Sequence, residues 1–318
     1  LVSSICARLD GIPLAIELAA ARAASMSLAQ LRNRLEGSLA VLENRGALES
    51  RHQTMEATIA WSYNLLPTPI QEQLCKLSLF ANGWSYEGAH FLLESELEQD
   101  TDRVLDELIR ASLVQFRDDR YRLFEPVRDY CRAKLANIPD IAVLTRDRHV
   151  TYIQSLASES SQGLLGPDQA KWIKVLSEEQ ANIRVAMEWM VDPLARAELA
   201  VQLTGFWQAT GRSAEGLPWI EAAMERLGDK MPPHAVSAAA VLAWRLGRLG
   251  DAEQWLRRAL SNSRTSGDTS LALKLTTNLA IVTAESGRLE DAAALFQDAL
   301  DLAQAPEHET IRASVHNN

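Results

Sequence analysis

In the second half of the chain, apolar positions recur at helical spacing, and the whole block then recurs. Ala252, Trp255, Leu256, Ala259 and Leu260 fall at i, i+3, i+4, i+7 and i+8, one stripe of an α-helix. Ala292, Leu295, Phe296, Ala299 and Leu300 repeat that stripe position for position, and Gly216, Trp219, Ile220, Ala223 and Met224 precede it. A Gly-Arg pair stands ahead of each stripe: Gly211-Arg212, Gly247-Arg248 and Gly287-Arg288. Glycine suits a tight turn there because it takes positive φ at little cost. Asp251 and Asp291 sit near helix N-termini, where the dipole and free amides favour a carboxylate. Repetition at a period of roughly 34–40 residues predicts helical hairpins that bury their apolar faces only by stacking on one another. Alanine at the first and fourth stripe positions keeps side chains small where the paired helix approaches.

The first half is not repetitive. Gly11-Ile12-Pro13 breaks the chain and opens a strong helix, with proline in the first turn where its missing amide costs nothing. A short helix is expected near 27–36, and the polar stretch 43–53 reads as a linker. Helices are predicted over 54–66, 70–80, 85–93 and 102–111, with a break at Pro67-Thr68-Pro69. Two extended runs, 113–117 and 120–124, flank Asp118-Asp119 and predict a β-hairpin whose turn lacks the usual glycine. A last helix is expected over 126–135. Helices followed by a two-stranded hairpin describe a winged helix. The fold class is therefore mostly α: a small helical segment over 1–42, a winged-helix domain over 50–138, and an α-solenoid of helical hairpins over 143–318.

The repeated small-large-small stripes resemble tetratricopeptide repeats. Gly11-Ile12-Pro13-Leu14-Ala15-Ile16-Glu17-Leu18 resembles the GxP motif that closes the nucleotide-binding module of STAND ATPases, the class that includes NB-ARC proteins. The segments 61–66 (Trp61-Ser62-Tyr63 onward), 122–130 (Arg122 to Tyr130) and 179–189 (Glu179-Gln180-Ala181-Asn182 onward) are similar to the bacterial branch, large transcriptional regulators of the AfsR and LuxR-type kind. The likeness covers nearly the whole chain. It implies that Gly11, Ile12 and Pro13 wall the adenine of a bound nucleotide. It also implies that Leu123, Phe124 and Glu125 stand where the family's MHD switch motif lies. Phenylalanine replaces the histidine there and cannot donate a hydrogen bond to phosphate.

Composition narrows the chemistry. The 318 residues carry a formal net charge of −10, which argues against broad attraction to nucleic acid phosphates. No apolar run approaches the roughly 18–20 residues of a membrane span, and no signal peptide is evident, so a cytoplasmic location is expected. Cys6, Cys75 and Cys131 form no CxxC pair and read as buried small hydrophobes in a reducing compartment. His90 and Glu94 are one helical turn apart, but no second histidine accompanies them, so no metal site is expected. None of the 6 lysines is followed by serine or threonine, so this chain has no phosphate-cradling loop and no catalytic residues are assigned. It is expected not to be an enzyme or to hold a cofactor by itself; ADP or ATP with magnesium belongs to the presumed full-length protein. Trp172, Trp189, Trp207, Trp219, Trp244 and Trp255 lie within apolar stripes and read as packing between hairpins.

The chain opens inside an amphipathic run without methionine, and 310–318 echoes 271–278, so a fragment with an unfinished last hairpin is expected. The reading that follows is a regulatory part of a STAND-type regulator, its winged helix working as an intramolecular switch against an upstream nucleotide-binding domain. The repeats would take a protein or small-molecule effector in a groove lined by 236–246 and 271–284, with Trp244, Arg245, Lys274 and Asn278 as its contacts. One alternative is a DNA-reading winged helix with 102–111 as recognition helix; acidic Asp102, Asp106 and Glu107 weigh against it. Another is a plain repeat scaffold.

Overall fold

Each repeat unit ends its first helix in the same way. Gly211, Gly247 and Gly287 have φ of +69°, +75° and +80°. The residue after each glycine donates its amide five residues back: Arg212 to Trp207 O, Arg248 to Ala243 O and Arg288 to Thr283 O, at 2.8, 2.9 and 3.2 Å. The glycine amides reach Gln208, Trp244 and Ala284 carbonyls. These are Schellman-type ends, which satisfy carbonyls the helix itself leaves open.

The structure, a computed structural model, describes residues 2–9, 11–23, 25–39, 47–93, 98–266 and 268–303. Residues 310–318, where the unfinished hairpin is expected, lie outside the described residues, as does Glu94. The chain divides into two compact units, residues 1–153 with 181–186, and residues 154–180 with 187–318.

In the first unit, α1 (Val2–Arg8), α2 (Pro13–Ala23) and α3 (Leu28–Leu39) precede the long α4 (Ala47–Asn64). Residues 47–53, expected to be linker, are helical instead. Alanine, leucine, glutamate and arginine there are good helix formers, and their polarity does not break a helix. Ile5, Leu9, Ala15, Ala19, Leu31 and Leu35 bury themselves around Trp61 of α4. The winged helix follows as α5 (Thr68–Leu77), α6 (Tyr86–Leu92), α7 (Glu98–Arg110), β1 (Val114–Arg117), β2 (Arg120–Leu123) and α8 (Glu125–Ala136). α5 stops at Leu77, short of the expected residue 80, because Ser78–Phe80 turn the chain into the loop before α6.

β1 and β2 are antiparallel, with Val114 opposite Leu123 and Phe116 opposite Tyr121. Trp84 adds a third short edge, exchanging two 2.9 Å backbone bonds with Tyr121. The turn works without glycine because Asp118 and Asp119 both take left-handed φ, +53° and +58°. Two consecutive left-handed residues are the I′ geometry that matches strand twist, and aspartate is among the few side chains that tolerate it.

Next along the chain come α9 (Pro139–Gly163), α10 (Gln169–Glu178) and α11 (Gln180–Trp189). In the second unit, α12 (Pro193–Gln202) and α13 (Thr204–Ala209) pack with α14 (Ser213–Leu227); α15 (Pro233–Arg245) pairs with α16 (Leu249–Ser266), and α17 (Thr269–Glu285) with α18 (Leu289–Leu302). Ala252, Leu256, Ala259, Ala292 and Ala299 are buried as the stripes require. At the stripe's first position, α14 carries Gly216 in place of alanine, because Trp207 fills the space. A Cβ on Gly216 would lie 1.9 Å from Trp207 Cε3. Gly216→Ala is therefore expected to lower unfolding stability by roughly 2–3 kcal/mol, as overpacked cores do. Trp207→Ala is itself destabilising, but in that background Gly216→Ala should cost clearly less than in the parent, which thermal unfolding of the single and double variants would measure.

Candidate functional site

The residues singled out from the sequence fall into three places. Gly11 takes φ of +65° and Pro13 starts α2. The amides of Gly11 and Ile12 reach back to Cys6 O and Leu9 O, so the GxP segment is a helix end joined directly to a helix start. Gly11 and Pro13 are exposed, while Ile12 packs against the core around Trp61. Arg22, on the same helix, donates from Nη2 to Ser62 O at 2.9 Å. Burial lowers its pKa, while the charge of Glu107 on α7 raises it.

The second place is the end of the wing. Leu123 closes β2, Phe124 is the extended residue before α8, and exposed Glu125 pairs with Arg128. Phe124 is half-buried. Nearby, the segment 179–189 has a use that sequence reasoning missed. Asn182 is fully buried and bridges the loop ahead of α6: its Oδ1 accepts from Ala81 N at 2.6 Å, and its Nδ2 donates to Gly83 O at 3.0 Å. Gly83 has φ of +91°, and a Cβ there would lie 2.4 Å from Tyr121 O. Arg132 of α8 donates from Nε to Ser78 O at 2.9 Å, capping α5. His149 sits behind this loop against the Phe80 ring, 5.1 Å between centroids. Burial is the main reason its pKa falls to about 4; the Arg132 charge pushes the same way, and an Asn182 hydrogen bond opposes both.

The third place is the repeat surface. A cleft of about 880 Å³ is lined chiefly by α15 and α17, the first helices of their hairpins. Lys274 and Asn278 line it, with Ser237, His234, Gln208 and Asp268. Asn278 donates to Ser237 Oγ at 3.1 Å, His234 Nε2 lies 2.9 Å from Glu198, and Asp268 caps α17 by accepting from Leu271 N. Trp244 instead lines a small adjoining cavity with Asn278, and exposed Arg245 stacks on the Trp244 ring at 4.7 Å. Asn278 thus belongs to both hollows, whereas Arg245 lines neither. Ser237 and Thr277 hold the same position in successive repeats, so the repeat register was the signal that could have found this hydroxyl-lined wall.

The tryptophans also differ from expectation. Trp207 is buried, but Trp172, Trp219, Trp244 and Trp255 are half-buried, each with a cation over its ring: Lys171, Arg196, Arg245 and Arg248. His90 lies 3.3 Å from Thr101 Oγ1, and no cluster able to hold a metal ion occurs among the described residues. Nor is any helix among them long and apolar enough to cross a membrane.

A family model described as a winged helix-turn-helix domain matches residues 66–136, and one described as tetratricopeptide repeat matches residues 234–305. Proteins of Mycobacterium bovis and Mycobacterium tuberculosis that carry the provisional name HTH-type transcriptional regulator are 31% identical over 330 aligned residues. The alignment covers 96% of this chain and 36% of each relative, so the chain spans little more than a third of their length. An uncharacterized Mycobacterium tuberculosis protein is 35% identical over 156 residues, 46% of this chain and 40% of that protein. A STAND protein with a tetratricopeptide repeat sensor from Pyrococcus horikoshii aligns over 96% of this chain and 56% of its own, at 14% identity and a TM-score of 0.35. At that level the likeness bears on neither fold nor function. The chain thus pairs a winged helix-turn-helix with tetratricopeptide-like hairpins and is similar to proteins named as transcriptional regulators.

The depressed pKa of His149 sets a pH dependence. The folded state keeps the imidazole neutral down to about pH 4, whereas the unfolded chain binds a proton from about pH 6.5 downward. Stability is therefore full above the unfolded value and is lost as pH falls toward the folded one. Between pH 7.5 and 5 the loss from this group should be about 2 kcal/mol. Urea unfolding at the two pH values should show a smaller difference for His149→Phe than for the parent.

Proposed function

We propose that this chain is the regulatory portion of an ATP-dependent transcriptional regulator of STAND type. The winged helix serves as an intramolecular lever beside a nucleotide-binding module that contributes ADP or ATP with magnesium, and the repeat cleft receives an effector. Gly11, Ile12 and Pro13 would complete the adenine wall of that module, and Phe124 with Glu125 would occupy the switch position without touching phosphate directly.

The observation that carries this reading is the charge on α7. Its exposed residues include Asp102, Arg103, Asp106 and Arg110, and Arg110 lies 3.6 Å from Asp106. A helix whose arginines are matched by its own carboxylates offers phosphates little. Burial lowers the pKa of Arg22, on the helix that follows the GxP turn, and the charge of Glu107 on α7 opposes that shift.

A second reading, in which the winged helix reads DNA, draws on the exposed wing arginines Arg117 and Arg122 and on the relatives' provisional name. Fluorescence anisotropy with random-sequence and genomic duplexes at physiological salt separates the two. The lever reading predicts no sequence-dependent binding tighter than micromolar by this chain. Nanomolar affinity lost in Arg117→Ala and Arg122→Ala variants would instead make the wing a DNA contact.

A further inference from the structure

The charges on the wall of the repeat cleft do not balance. His234 Nε2 lies 2.9 Å from one Glu198 carboxylate oxygen and 3.0 Å from the other, so ring and carboxylate answer each other. Asp268 is the N-cap of α17 and accepts from Leu271 N at 2.9 Å, where the helix dipole favours its charge. Lys274 is the remaining charged side chain on the wall. It is exposed and forms no ion pair among the described residues. An anion entering the cleft therefore meets a cation that has no counter-ion of its own.

The neutral polar groups set a second requirement. Buried Thr204 and Thr277 each commit their hydroxyl proton to the helix carbonyl four residues back, Ala200 O at 3.2 Å and Leu273 O at 2.9 Å. Toward the cleft they offer only lone pairs. Asn278 donates to Ser237 Oγ at 3.1 Å, which leaves Asn278 Oδ1 to accept and the Ser237 hydroxyl to donate. A ligand that matches this wall carries hydrogen-bond donors of its own as well as negative charge. Val241 and Leu271 give its carbon skeleton an apolar surface.

We propose that the cleft takes a small organic anion bearing hydroxyl groups, a sugar acid or a sugar phosphate. Its charge lies on Lys274, and its hydroxyls donate to Thr204, Thr277 and Asn278 and accept from Ser237. The inference rests on the reading of this cleft as the effector site and adds the chemistry of the effector. The volume of about 880 Å³ suits it, since small-molecule pockets run from roughly 300 to 1,000 Å³. Lys274 contributes a charge-assisted hydrogen bond, about twice as strong as a neutral one. The hydroxyl contacts then separate a hydroxylated anion from a plain one.

The test is titration calorimetry and thermal unfolding of the full chain with gluconate, glucose 6-phosphate, glucose, acetate and a glycine-serine peptide. Gluconate or glucose 6-phosphate should bind saturably and raise the unfolding temperature, and the tighter of the two tells carboxylate from phosphate. Glucose keeps hydroxyls without charge and acetate keeps charge without hydroxyls, so each should bind at least about tenfold more weakly. Lys274→Gln should weaken the anion about tenfold, while Lys274→Arg should keep most of the affinity. Because Lys274 forms no ion pair, the Lys274→Gln chain should unfold at the parent temperature when no probe is added. Anion binding unchanged in Lys274→Gln, or glucose or acetate bound as tightly as the anions, would overturn the proposal. Glucose or the peptide bound in place of the anions, and lost in Ser237→Trp, would overturn the ligand class yet keep the cleft as an effector site. Binding of no probe at all would overturn both.

Discussion

A left-handed glycine joins the two helices of each repeat hairpin, and the geometry of the repeat unit follows from it. At Gly211, Gly247 and Gly287 the chain leaves one helix, satisfies its last carbonyls and enters the next within two or three residues. A non-glycine residue would have to hold φ near +70° there, a conformation that costs L-amino acids roughly 1–2 kcal/mol. The same turn presents the following arginine to the preceding element. Arg212 donates to Gln180 at 2.5 Å, Arg248 to Glu221 at 2.7 Å, and Arg288 to Glu253 at 2.5 Å. Arg212 meets a neutral amide, and the two exposed ion pairs contribute little energy each. Their repetition in one register marks the direction of stacking, and that stacking brings Ser237 and Asn278 of neighbouring hairpins into hydrogen-bond contact in the cleft.

The first unit is organised around α4 and one asparagine. Trp61 and Tyr63 lie two residues apart, hence on opposite sides of the helix. Trp61 holds the segment after the GxP turn, and Tyr63 faces Cys75 and Tyr130 of the winged helix. Ser62 between them accepts Arg22. Asn182 then fastens the loop before the wing with both ends of its amide. Motifs that resemble a family's signature are, in this chain, largely the residues that tie its elements to one another.

Much of this is legible in the sequence, because helical stripes, Gly-Arg turns and Pro at helix starts act locally. The hairpins and the winged helix follow from periodicity and register, and so does the placing of Lys274 and Asn278 on the first helix of a hairpin. What is not legible depends on residues far apart in the chain. Nothing local shows that Asn182 reaches Gly83, or that Trp207 forces a glycine at 216. Residues 47–53 look like a linker because they are polar, although their helix propensity is good and α4 runs through them. The Asp118-Asp119 turn looks weak without glycine, yet the two aspartates hold the left-handed geometry themselves.

The repeat geometry rests on backbone handedness at the three turn glycines. At none of them would an added Cβ meet an atom within 4 Å, so a substitution there probes the backbone without a side-chain clash. The direct measurement is thermal unfolding of Gly211, Gly247 and Gly287 replaced singly by alanine and by asparagine. Alanine should cost about 1 kcal/mol at each site, and asparagine, which tolerates positive φ, clearly less. Equal losses for the two substitutions, or no loss for either, would contradict the claim that these turns set the repeat geometry.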